Sequence, residues 1–109
     1  MMKEELYNNK GCGQTYHPHP VLTDSIPLPD ELDDLIYSMA EHKHDIWALN
    51  RINEGWTCGK ERNNDLKIHP DLVPFGQLPE SEKACDLVES IDTIKFIYSM
   101  GYTINRKEK

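Results

Sequence analysis

The chain has 109 residues, 38% of them hydrophobic and 28% charged, which fits a single domain with a modest core. Its formal net charge of -7 argues against a general binder of nucleic acid, which would need a clustered basic face. No apolar run approaches the roughly 20 residues that span a bilayer, and the N-terminus lacks the apolar segment of a signal peptide. We therefore expect no membrane partner and a cytoplasmic location, in agreement with three scattered cysteines.

The N-terminal region is polar and irregular. Residues 1–14 show neither helical nor strand periodicity, which predicts a flexible arm, and residues 15–21 alternate proline with histidine, which favours an extended path. Cys12, His17 and His19 are metal-capable residues. Because no CxxC pair or second histidine pair accompanies them, we predict no metal site and no cofactor.

A long first helix is predicted for residues 30–54. Pro29 and the acids after it are typical of a helix start, and Gly55 is suited to a left-handed C-terminal cap. Apolar residues recur along this helix at spacings that predict a buried face. They are Leu32, Leu35, Ile36, Met39, Ile46, Leu49 and Ile52.

A second row lies beside that face and carries more varied chemistry. Ala40, His44, Trp47, Arg51 and Glu54 follow one another at steps of four and three residues. In the simpler interpretation, the arginine lies over the indole as a cation–π pair that only stabilises the helix. In the alternative, the row faces a ligand or a partner, because tryptophan and arginine are enriched at binding hot spots.

The middle of the chain is predicted to form short strands and a covering loop. Residues 56–59 favour a strand, residues 60–65 a polar turn, and residues 66–69 a segment that pairs back. The proline-rich loop that follows is expected to place three apolar side chains over the core. These are Leu72, Val73 and Phe75.

A second helix is predicted for residues 80–100, with Gly101 at its end and a further short strand at 102–105. The predicted fold is mainly α: an antiparallel two-helix hairpin with short β-strands and proline-rich covering loops. Its core is expected to contain Leu35, Ile36, Met39, Ile46, Leu49, Leu87, Val88, Ile91 and Ile94. Trp56 is also expected in the core, because it adjoins the glycine that ends the first helix.

Six pieces of this sequence, in the same order, carry a resemblance to a known family. They are Ile26-Pro-Leu-Pro29, Ala40-Glu-His-Lys-His-Asp-Ile-Trp-Ala48, Arg51-Ile-Asn-Glu-Gly-Trp-Thr-Cys-Gly59, His69-Pro-Asp-Leu-Val-Pro-Phe75, Leu78-Pro-Glu-Ser-Glu82 and Met100-Gly-Tyr102. Over residues 18–104 the chain resembles the ryanodine-receptor repeat, or RyR domain. We therefore divide it into an arm at 1–14, one RyR-like domain at 15–105 and a charged tail at 106–109.

The resemblance implies a cytoplasmic interaction or sensing module. In animal calcium-release channels the repeat occurs as tandem pairs remote from the pore, and one pair binds adenine nucleotide between its copies. The tryptophan at that site matches Trp47, and helical spacing extends the candidate ligand site to His44, Asn50 and Arg51. The single copy here resembles free-standing members of bacterial or phage type, and it implies that an inter-repeat site would need a homodimer.

The function expected from the sequence is therefore a non-enzymatic binding module for an adenine-nucleotide-like small molecule or a protein partner. A purely architectural interaction subunit is the alternative, and a small enzyme is a weaker one. His44 with Asp45, or His69 with Asp71, could be imagined as acid–base pairs. However, neighbouring residues in a helix point apart, and no activated nucleophile stands nearby, so no catalytic residue is predicted.

Overall fold

The computed structural model describes residues 15–107, so the predicted arm at 1–14 lies outside the described residues. Two long helices, α1 (Asp33–Asn53) and α2 (Glu80–Ser99), dominate the structure. Each follows a short 3-10 helix, at Asp30–Leu32 and Phe75–Gln77 respectively. Neither long helix is apolar enough over a sufficient length to cross a bilayer.

Both long helices end within one residue of the predicted position and α2 begins where predicted, whereas residues 30–32 at the predicted start of α1 form a 3-10 helix. Acidic side chains occupy the first turn of each helix, where they complement the positive end of the helix dipole. At the other ends, Gly55 and Gly101 adopt φ angles of 96° and 93°. The amide of Trp56 then donates to the carbonyl of Arg51, and the amide of Tyr102 to that of Ile97, which completes a Schellman cap on each helix.

The first part of the core lies between the two helices. Leu32, at the end of the first 3-10 helix, and Ile36 of α1 cluster with Ile94 of α2, which is fully buried. The early part of α1 thus meets the later part of α2, and the helices form the predicted antiparallel hairpin. Partly buried side chains complete this cluster, namely Leu28, Met39, Leu87, Ile91, Tyr98 and Ile104.

The second part of the core lies under the proline-rich loop. Ala40 of α1 packs with Phe75 and Leu78, and both Ala40 and Phe75 are almost completely buried. Val73 and Leu87 pack against the same cluster. The prediction that Phe75 and Val73 cover the core is confirmed, and the loop is thereby fixed against the middle of α1.

The prediction of a core position is wrong for four of the nine residues. Leu35, Ile46, Leu49 and Val88 are exposed, and so is Ile52 of the same predicted face. The cause is the direction in which α1 turns its buried side: Ile36, Ala40 and His44, spaced by four residues, are the buried positions of this helix. The more apolar row beside them therefore points away from the hairpin.

The prediction of short strands is also wrong. In residues 15–107 the extended pairing is limited to isolated bridges, in which Ile68 pairs with Thr57 on one side and with Asn63 on the other. Lys67 breaks any longer ladder because it adopts a φ of 57°. The bridged segments are nonetheless in close contact, since a Cβ at Gly59 would collide with the side chain of Ile68.

Candidate functional site

The second row of α1 becomes gradually more exposed along the helix. Ala40 and His44 are buried, Trp47 and Arg51 are half-buried, and Glu54 is exposed. The covering loop packs over the beginning of this row. The residues that follow the C-terminal cap of α1 pack beside its last turns. The row therefore passes from the core to the surface, and Trp47 lies at the transition.

His44 joins this row to the covering loop. Its Nε2 lies 2.7 Å from the carbonyl oxygen of Val73. Because a carbonyl can only accept, Nε2 carries a proton and donates it to that oxygen. The imidazole also lies 5.6 Å from the Trp47 ring, centroid to centroid, and 6.1 Å from that of Phe75. His44 thus holds the loop and flanks the indole.

His69 approaches the same indole from the other segment. The amide of His69 donates to the carbonyl of Thr57, and the amide of Asp71 donates to His69 Nδ1 over 3.1 Å. These bonds orient the imidazole so that it meets Trp47 edge-on, at 4.9 Å between centroids and 76° between planes. The same imidazole lies 6.3 Å from the ring of Trp56.

Arg51 lies against both tryptophans. Its guanidinium carbon is 5.9 Å from the centroid of Trp47 and 5.9 Å from that of Trp56, within cation–π range. The Schellman cap brings Trp56 next to Arg51, because residues at these two positions of the motif commonly make a side-chain contact. Arg51 also pairs with Glu54 over 3.0 Å, and the side chains of this pair are 37% and 55% exposed.

We call His44, Trp47, Arg51, Trp56 and His69 the tryptophan cluster. Three parts of the chain supply it: the later half of α1, the residues after its cap, and the segment before the proline-rich loop. Lys67 reinforces the assembly because its Nζ donates to the Glu54 carbonyl over 2.8 Å at the end of α1. The cluster is thus anchored on its inner side by hydrogen bonds and open to solvent on its outer side.

A groove of about 390 Å³ lies beside the cluster, between α1, α2 and the loop. Trp47, His44 and His69 supply its aromatic wall. Four carboxylates face it, and Lys43 is the one lysine or arginine in its lining. The carboxylates belong to Asp71, Glu82, Asp86 and Glu89. We call this the acidic groove; Arg51 lies outside its lining.

A comparison of the chain with models of protein families gives a match. The model of the RyR domain matches residues 16–106. The chain belongs to the RyR domain family. The match spans both helices, the tryptophan cluster and the covering loop of this RyR domain, and so includes every element that forms the acidic groove. The bacterial or phage character suggested by the single copy stays a prediction.

The structure of this RyR domain brings three of the four predicted ligand residues together. His44, Trp47 and Arg51 lie in one cluster, and the predicted cation–π geometry of Arg51 on Trp47 is present. His44 is inward-facing, with its Nε2 engaged by the loop. Asn50 is exposed, and its side chain has no hydrogen bond among residues 15–107. Its role in binding stays a prediction.

Trp56 differs from its predicted position. It belongs to neither core cluster and instead contributes to the tryptophan cluster at the surface. The contact of His69 with Trp47 was not predicted, because 22 positions separate them and no local pattern links them. No site was predicted at the groove acids of α2. Their spacing at 82, 86 and 89 places them on one helix face and was the available signal.

Proposed function

We propose that this protein is a non-enzymatic binding module of the cytoplasm, and that its tryptophan cluster recognises an adenine-nucleotide-like ligand. The observation that supports the proposal is the position of Arg51, whose guanidinium lies against two indoles at the solvent side. An indole offers a flat face to a base, and a guanidinium offers paired donors to a phosphate. Trp47 and Arg51 are the proposed ligand contacts, with Asn50 exposed beside them.

The charges around the cluster favour one orientation of such a ligand, with its phosphates at Arg51. The acidic groove would repel phosphates, whereas Arg51 carries a positive charge and lies outside the groove lining. Glu54 holds Arg51 in the ligand-free chain through an exposed ion pair, which is weak enough for a phosphate to displace. His44 is proposed to keep the Trp47 ring in place.

Titration with ATP, followed by calorimetry and tryptophan fluorescence, tests this proposal. The chain has two tryptophans, so the Trp56→Phe variant leaves Trp47 as the single fluorescent reporter. We expect the wild type to bind, Arg51→Ala to lose most of its affinity, and Glu54→Gln to bind more tightly because its arginine is no longer paired.

The matched control is Lys83→Ala. Lys83 pairs with Glu80 at the same spacing on the other helix, so this variant removes one positive charge away from the cluster. If it weakens ATP binding as much as Arg51→Ala does, the effect is one of net charge and the proposed site is wrong. No response of the wild type to millimolar ATP would reject a nucleotide ligand.

A second function, assembly into a homodimer, is favoured by a different observation. Ile46, Leu49 and Ile52 are each about half exposed on the outer side of α1. Such a row of apolar side chains on one helix is suited to an isologous contact with a second copy. An architectural role would use the same face. Dimerisation would also place a second repeat beside the first, as in the tandem pairs of the channels.

Sedimentation at tens of micromolar tests the dimer. We expect a dimer for the wild type and a monomer for Leu49→Ser. Val88→Ser is the control, because Val88 is equally apolar and exposed but lies on α2. A wild type that stays monomeric, or a Leu49→Ser variant that remains dimeric, would contradict the proposed contact.

A further inference from the structure

The acidic groove has a charge balance that the nucleotide proposal does not explain. Its four carboxylates have no salt bridge in the described part of the chain. Lys43, in the same lining, forms none either. Unpaired carboxylates around one groove repel each other, and a cation placed there would relieve that repulsion. The aromatic wall adds a second attraction, since an indole face also favours cations.

The arrangement of the acids favours an organic cation over a metal ion. No group of three histidine, cysteine or acidic residues within 15–107 is close enough to hold a metal. The acids instead line a groove of about 390 Å³, within the range of roughly 300–1,000 Å³ that organic ligands occupy. A planar guanidinium suits this lining because it stacks on aromatic rings and pairs with carboxylates through two parallel hydrogen bonds.

We infer that the acidic groove is a docking site for an arginine-bearing segment of a partner protein. In this arrangement, one guanidinium packs beside Trp47 and His69 and hydrogen-bonds to the carboxylates of Glu82 and Asp86. Trp47 already has one guanidinium within cation–π range, that of Arg51 at 5.9 Å from the ring centroid. The site shares Trp47 with the proposed nucleotide contact, but it uses the groove carboxylates in place of Arg51 and recognises the opposite charge.

The experiment uses the full chain and a short glycine peptide with two arginines, titrated by calorimetry. A peptide with citrulline in place of arginine has nearly the same shape without the charge. We expect binding of the arginine peptide, none of the citrulline peptide, and a loss of about fivefold or more in the Glu82→Gln/Asp86→Asn variant. High salt should weaken binding, because the groove is open to solvent.

The control variant is Glu61→Gln/Asp65→Asn, which makes the same change in charge within an exposed turn away from the groove. Equal weakening by both double variants would overturn the site, as would equal binding of both peptides. Binding of spermidine or Ca²⁺ without binding of the peptide would overturn the protein partner. Arg51→Ala separates the two proposals, because it should lose most of the affinity for ATP and retain peptide binding.

Circular dichroism and thermal unfolding serve to check that the variants are folded. Glu82 and Asp86 form no salt bridge within residues 15–107, and Glu82 contributes only a first-turn charge to α2, so we expect the double variant to unfold close to the wild-type temperature. A folded variant that binds the arginine peptide as tightly as the wild type would reject the proposed docking site.

Discussion

The interhelical core and the tryptophan cluster lie on the same side of α1 but differ in how they are held. Ile36 packs in an apolar cluster with Ile94, where burial of hydrocarbon is the stabilising force. His44 and Trp47, two and three turns further along, are held by a hydrogen bond and by ring contacts. One helix therefore stabilises the fold with its first half and carries the proposed recognition residues in its second.

The sharpest test of this contrast is Ile94→Ala. Ile94 is fully buried, and removal of its outer carbons leaves a cavity between the helices, so we expect a loss of about 2–5 kcal/mol in the free energy of unfolding. Urea denaturation measures it. Val88→Ala, on the exposed side of the same helix, should change stability by less than about 0.5 kcal/mol. Similar losses in both variants would contradict the assignment of the α2 core face.

A smaller effect is expected for His44→Leu. This substitution keeps an apolar body at the position but removes the donor to the Val73 carbonyl, which would be left without its partner. The expected loss is about 1–3 kcal/mol in the free energy of unfolding. His42→Leu is the control, because His42 is exposed on the same helix. If His44→Leu is as stable as the control, the histidine does not anchor the loop.

Arg51→Ala should affect binding far more than stability. Its ion pair with Glu54 is exposed and its contacts with the two indoles are partly exposed, and such contacts contribute up to about 1 kcal/mol. Thermal unfolding beside the ATP titration gives both quantities for one protein. A loss of stability near that of Ile94→Ala would instead place Arg51 among the structural residues and support the packing interpretation.

The smallest change in stability is expected for Leu49→Ser. Leu49 is 58% exposed, so its substitution should alter the free energy of unfolding of the monomer by less than about 0.5 kcal/mol. Dilute samples, in which any dimer has dissociated, should therefore unfold like the wild type. A large loss in dilute solution would indicate that this face is packed within the monomer.

Tertiary structure decided which face of α1 is buried. The apolar row with Ile46 and Leu49 has the periodicity of a core face, yet it lies outside. The row with His44 is buried because the distant segment around Val73 and Phe75 covers it, and this segment supplies a carbonyl that satisfies the imidazole. A polar residue can occupy such a position only when a partner is present, and helical periodicity carries no information about that partner.

The sequence by itself determined the helices and their ends, because proline, acidic first turns and the glycines of the two Schellman caps act within a few residues. It also determined the contact of Arg51 with Trp47, which is one turn away on the same helix. Only the tertiary structure decided that His69 meets Trp47 and that the acids of α2 face Asp71 across a groove. Those contacts join segments far apart in the chain, and they depend on how the loop packs against the hairpin.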